Sequence, residues 1–130
     1  MDPALLQSVP LFRDLSAHDR GQVARWADEI DVPADYRLAE EGRFAHEFFV
    51  ILDGTVEVTK AGERVADLGP GDFFGEIGLI ETERRTATVA STSPLRAVVM
   101  HQRDFAAMKD EFPQVCERIH DAIRSRMAQG

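Results

Sequence analysis

Between Tyr36 and His101 the chain is a succession of short apolar segments, each closed by turn-forming residues. "EFFVILDG" is a mostly apolar run that stops at Asp53-Gly54, and "TVEVTK" alternates Val56 and Val58 with polar neighbours. "AGE" at Ala61 to Glu63 suits a hairpin tip, with "RVADL" returning as the partner strand. "GPGD" from Gly69 to Asp72 reverses the chain, and "RTATVAST" and "LRAVVMH" flank the Ser93-Pro94 turn. Short strands at such even spacing close into sandwiches or barrels, because a parallel sheet needs a helical crossover between successive strands.

Helical periods frame this β region. In "LSAHDRGQVARWADEI", Ser16 is placed to cap a helix with Asp19 three positions on, a start resembling a capping box. Val23, Trp26, Ala27 and Ile30 then recur at helical spacing, and Pro33 ends the region. After His101, "QRDFAAMKD" predicts a short helix and "EFPQVCERIHDAIRSRMAQ" a longer one, with Val115, Cys116, Ile119, Ile123 and Met127 along one side. The expected fold class is α+β, mainly β. It is an antiparallel β roll or jelly-roll barrel over about 32–101, with an N-terminal helix and two C-terminal helices over about 102–129, in a single domain spanning 1–130.

Size and charge narrow the function. A chain of 130 residues, 44% hydrophobic and 29% charged, is long enough to bury a sizeable core. Its formal net charge of -8 argues against gripping nucleic acid by the phosphates, which takes a basic face. The same charge leaves room for one small anion in a local cationic pocket. Cys116 is the only cysteine, so no intrachain disulfide forms, and a reducing, cytoplasmic setting is expected. "MDPALLQSVPLF" lacks the basic n-region and apolar run of a signal peptide, and no stretch reads as a membrane span. His18, His46, His101 and His120 are scattered without metal-ligand spacing.

One stretch carries chemistry. "GDFFGEIGLIETERRTATV", Gly71 to Val89, sets a carboxylate and a guanidinium around a short apolar turn. "EIGLI" is long enough for about one helical turn, whose start exposes unpaired N–H groups to an anion. Gly75 and Gly78 let the backbone approach a ligand, Arg85 offers a planar fork for phosphate oxygens, and Thr86 offers a hydroxyl. Glu76 would repel a phosphate, but an ionised carboxylate is an acceptor that suits a sugar hydroxyl. Phosphate, hydroxyl and apolar lining together describe a nucleotide. As a surface ion pair instead, Glu76 and Arg85 would contribute under about 1 kcal/mol. Arg84, next to Arg85, is expected to point to the opposite face and stay solvated.

Phe74-Gly75-Glu76-Ile77-Gly78-Leu79 and then Arg85-Thr86-Ala87-Thr88-Val89 resemble the phosphate-binding cassette of the cyclic-nucleotide-binding domain family. That family includes the catabolite activator protein, protein kinase A regulatory subunits and cyclic-nucleotide-gated channels. Leu38, Gly42, Ala45, Phe48 to Ile51 and Gly54 are similar to its earlier signature, and "VPLFRDLS" resembles its entry into the first helix. Ala39, Arg43 and Gly78 depart from the usual residues.

The resemblance implies a regulatory module for a 3′,5′-cyclic nucleotide, cAMP before cGMP, with no catalysis and no further cofactor. It assigns Glu76 to the ribose 2′-hydroxyl and Arg85 to the cyclic phosphate. Thr86 matches a position whose side chain touches phosphate or base, and backbone around Gly75, Ile77, Gly78 and Ala87 completes the cradle. It implies a hinge-and-lid movement of the last two helices, with Ile119 and Ile123 as lid residues, and leaves open a homodimer through the last helix. The effector protein or fused domain stays unnamed. Direct DNA binding would take a helix-turn-helix after the last helix. Two alternatives share the architecture: a nucleotide-free interaction module, and a cupin-like metal enzyme, which needs clustered histidines.

Overall fold

The computed structural model describes residues 1–76 and 83–129 of the chain. After a 3-10 turn at Pro3–Leu6 come α1 (Ala17–Arg25) and β1 (Asp28–Val32), then β2 (Arg37–Ala39) and β3 (Glu47–Asp53). The hairpin β4 (Val56–Lys60) and β5 (Glu63–Leu68) precedes β6 (Phe73–Phe74), β7 (Thr88–Ser91) and β8 (Leu95–His101). Two helices, α2 (Gln102–Glu111) and α3 (Pro113–Gln129), follow. The strands form two antiparallel four-stranded sheets, ordered β1-β8-β3-β6 and β2-β7-β4-β5. This is the mainly β roll with flanking helices that the strand spacing predicts.

The first sheet is covered on both faces, which explains why β3 reads as an unbroken apolar run. Side chains alternate across a strand. Phe48 and Val50 of β3, with Val98 and Met100 of β8, face the helices. Phe49 and Ile51, with Ala97 and Val99, face the roll interior. Two cores result. The helical core joins Leu6, Val9, Phe12 and Val23 to Phe105, Met108, Phe112, Val115 and Ile119. The roll interior joins Ala39, Val56, Phe74 and Val89 to Phe49 and Ile51.

Local signals account for most element boundaries. The Ser16 hydroxyl accepts from the Asp19 amide at 3.1 Å and opens α1. The hairpin tip places Ala61 and Gly62 at φ of 53° and 82°, the left-handed pair that a tight two-residue turn requires. Gly54 sits at φ of 93°, where an added Cβ would lie 2.4 Å from the Pro94 carbonyl oxygen, so only glycine fits. The Gly69 amide donates to the Asp72 carboxylate at 2.9 Å, closing the turn at Gly69 to Asp72.

The structure corrects one expectation. The first helix stops at Arg25, and Ile30 belongs to β1, paired opposite Ala97. Five residues of periodicity are ambiguous, and Ile30 fell on the helical spacing by coincidence. Across β1 the strand period wins, with Ile30 and Val32 packed toward the roll interior. The roll therefore starts at Asp28, earlier than expected. Trp26 caps α1, is partly buried against the helical core and packs edge-on against Phe112 with ring centroids 6.1 Å apart.

Candidate functional site

Two segments far apart in sequence build the site. The loop between β2 and β3 is laced to the residues before β7: the Arg85 amide donates to the Arg43 carbonyl at 2.7 Å and Gly42 donates back to Arg85 at 2.9 Å. Ala45 donates to the Glu83 carbonyl, also at 2.9 Å. Gly42, at φ of 85°, makes the turn into this ladder. The earlier signature thus fixes the backbone of Arg85.

Arg85 is buried, with 7% of its surface exposed, and its fork is engaged. Nη1 donates to the Gly75 carbonyl at 3.1 Å and Nη2 to the Glu47 carbonyl at 2.8 Å. Two of the five guanidinium N–H donors are thereby fixed in direction by main chain. Burial lowers the pKa of Arg85, while the nearby charges of Glu47 and Glu76 work against that shift. Glu76, 0% exposed, is among the largest fully buried side chains in the molecule. A buried guanidinium and a buried carboxylate sharing one environment are costly unless compensated, and each moderates the cost of the other.

Gly75 is where backbone and side chain meet. Its φ is 96°, and an added Cβ would lie 2.8 Å from both Arg85 Nη1 and the Glu47 carbonyl oxygen. Glycine here both permits the left-handed backbone and leaves the space that the Arg85 fork fills.

Thr86 and Ala87, both half-buried, lead from Arg85 into β7. Ile77 and Gly78, which the resemblance places in the cradle, lie outside the described residues. Ile119 is fully buried within the helical core. The side chain of Ile123 lies outside the described residues. Arg84 is exposed, as expected; its guanidinium stands 4.1 Å from the centroid of the Phe44 ring, and Nη1 donates to the Gly42 carbonyl.

An open pocket of about 360 Å³ adjoins Arg85 and is lined by Arg37, Glu40, Arg43, Phe44, His46 and Glu47, with Leu38 and Ala39. Sequence reasoning singled out Gly42 and Ala45 of this loop, noted Arg43 only as a departure and His46 only as a scattered histidine, and did not single out Arg37, Glu40, Phe44 or Glu47. The signal available was adjacency to that earlier signature. Among the described residues, no three His, Cys, Asp or Glu side chains group as a metal site, and no helix is long and apolar enough to cross a membrane.

Comparison with known proteins bears on this geometry. The family described as "Cyclic nucleotide-binding domain" matches residues 29–112. A cAMP-dependent protein kinase regulatory subunit of Mycosarcoma maydis is 34% identical over 122 residues, covering 87% of this chain and 23% of that protein. A cyclic nucleotide-gated potassium channel of Mesorhizobium japonicum is 32% identical over 113 residues, covering 87% of this chain and 31% of that protein. This chain thus spans between about a quarter and a third of the length of these relatives. Among solved structures, the regulatory domain of Toxoplasma gondii PKA with cAMP superposes with a TM-score of 0.78 at 20% identity, over 98% of this chain and 49% of that one. The match spans most of the roll and includes both segments that meet at Arg85, and so the chain belongs to the cyclic nucleotide-binding domain family.

Proposed function

We propose that this chain is a sensor module that binds a 3′,5′-cyclic nucleotide, cAMP in preference to cGMP, and that it catalyses no reaction. The observation that carries the reading is the buried Arg85 fork, held by the Gly75 and Glu47 carbonyls beside the fully buried Glu76. A cation invested in a low-dielectric setting next to backbone that only glycine can supply is suited to a small anion. Glu76 supplies the acceptor for a ribose hydroxyl, and Thr86, Ala87, Ile77 and Gly78 complete the cradle. The preference for cAMP is supported by the kinase subunit's dependence on cAMP and by the cAMP in the Toxoplasma gondii structure.

Signalling would follow from differential affinity: ligand favours whichever placement of α2 and α3 it contacts best. Ile119 and Ile123 are the lid residues of this proposal, and Ile119 reaches a ligand only by leaving the helical core it occupies here. Titration calorimetry with cAMP and cGMP tests the reading. Micromolar cAMP binding that Arg85→Ala abolishes while the chain stays folded is the expected outcome; unchanged affinity in that variant would sink it. Glu76→Ala is expected to narrow the preference for cAMP over its 2′-deoxy analogue, and an undiminished preference would separate Glu76 from the ribose.

A further inference from the structure

The formal charge of -8 sets a problem for any anionic ligand, because the field at a distance repels it. The pocket next to Arg85 has an exposed cationic rim. Arg37, on β2, and Arg43, in the loop that follows, both line it, with 67% and 79% of their side chains exposed. Both reach the same carboxylate: Arg37 Nη1 lies 3.4 Å from Glu40 Oε1 and Arg43 Nε lies 3.4 Å from Glu40 Oε2. Among the residues that line the rim, one glutamate between two arginines leaves a net positive charge. Arg84, exposed over Phe44, adds to it. Among the described residues, the other carboxylate of the lining is Glu47, half-buried in the pocket wall; Glu76 is fully buried, Glu41 accepts from the Ala61 amide at the hairpin tip, and Glu83 is exposed beside Arg84, outside the lining.

Exposed ion pairs of this kind hold little stability, so a structural role does not explain two arginines converging on one glutamate. Their placement does have a kinetic consequence. Charges on an exposed rim act on a ligand before contact, when it is still solvated and outside the pocket, whereas Arg85 acts after entry.

We propose that Arg37 and Arg43 are an electrostatic guide that raises the rate at which an anionic nucleotide enters the pocket, with Glu40 setting its strength. The proposal rests on the cyclic-nucleotide reading of the site and deepens it. The guide discriminates by charge, speeding a phosphate-bearing ligand against the field of the whole chain. It contributes to association and not to residence.

Stopped-flow mixing with a fluorescent cAMP analogue, dye on the base, tests this in buffers of low and physiological ionic strength. Arg37→Gln/Arg43→Gln is expected to lower the association rate constant roughly fivefold to fiftyfold at low salt and to flatten its salt dependence, with dissociation unchanged. Arg37→Lys/Arg43→Lys should retain the wild-type rate, since charge and not fork geometry is at work. Glu40→Gln should raise the rate. A glutamine pair whose association rate stays within about twofold of wild type, or whose defect lies in dissociation, overturns the guide while leaving the site reading intact. A wild-type chain that captures no cyclic nucleotide ends both.

Discussion

The two cores of this molecule sit back to back on one sheet and follow opposite rules. On the helical side the buried partners among the described residues are apolar, from Leu6 and Phe12 through Phe48 to Met108 and Ile119. On the other side the roll interior is apolar where β3, β4 and β8 meet, yet Arg85 and Glu76 lie buried close by. Ser91, the other buried polar side chain of the described residues, is satisfied locally: its hydroxyl donates to the Pro33 carbonyl at 2.6 Å and accepts from the Tyr36 amide at 2.9 Å. Ser91 is structural. The difference teaches where to look for function: stability calls for apolar burial or locally closed polar groups, and a buried cation and a buried carboxylate against a glycine turn answer to something else.

The sharpest way to break the contrast is to damage each side and read both stability and binding. Phe48 packs its ring against Phe105 at 4.7 Å and Phe73 at 5.7 Å between centroids. Phe48→Ala is expected to cost about 3–5 kcal/mol in denaturant unfolding. A loss under about 1 kcal/mol would show that the helical core is not what holds the chain together. Arg85→Ala should reverse the pattern, costing about 2–5 kcal/mol in cAMP binding measured by calorimetry. Its effect on stability is sharpened by a second change. Arg85→Ala leaves Glu76 buried without its neighbouring cation, so Arg85→Ala/Glu76→Gln should be more stable than Arg85→Ala alone. A double variant that melts lower than the single one would deny the coupling.

Gly75→Ala probes the seam between the two rules. It adds about 1–2 kcal/mol of left-handed strain and forces the Arg85 fork from its position, so binding should fall further than stability. Equal losses in thermal melting and calorimetry would mean that Gly75 serves the fold alone. Ser16→Ala is the smallest test: removing the α1 cap should cost about 1 kcal/mol of stability and leave cAMP affinity unchanged. A change in affinity from that remote position would tie the helical side to the site more tightly than the structure shows.

How much of this was readable in the sequence depended on whether side-chain type carried the information. The strands from Glu47 to His101 were legible because turns need glycine, proline and aspartate, and strand faces need alternation. Gly75, Glu76 and Arg85 were legible as a group because their chemistry is unusual for one short stretch. Strand β1 was not, since Asp28 to Val32 offers only two apolar residues and its identity comes from pairing with β8. The acceptors of the Arg85 fork were also hidden. They are carbonyls of Gly75 and Glu47, and a carbonyl is the same for every residue, so only the fold reveals which one is presented. Arg37 and Phe44 stayed silent for another reason: exposed residues follow no period, and Phe44, 56% exposed, looks like ordinary surface.

Strand β3 has a consequence of its own. Its neighbours Phe48 and Phe49 belong to different cores, and Glu47, just before them, lends its carbonyl to Arg85. Deleting a single position within the strand would swap the two sets, turning the helix-facing side chains into the roll and moving the carbonyl that Arg85 needs. Natural variation in this segment is therefore free to change its spelling, one apolar letter for another, and strongly bound to keep its length.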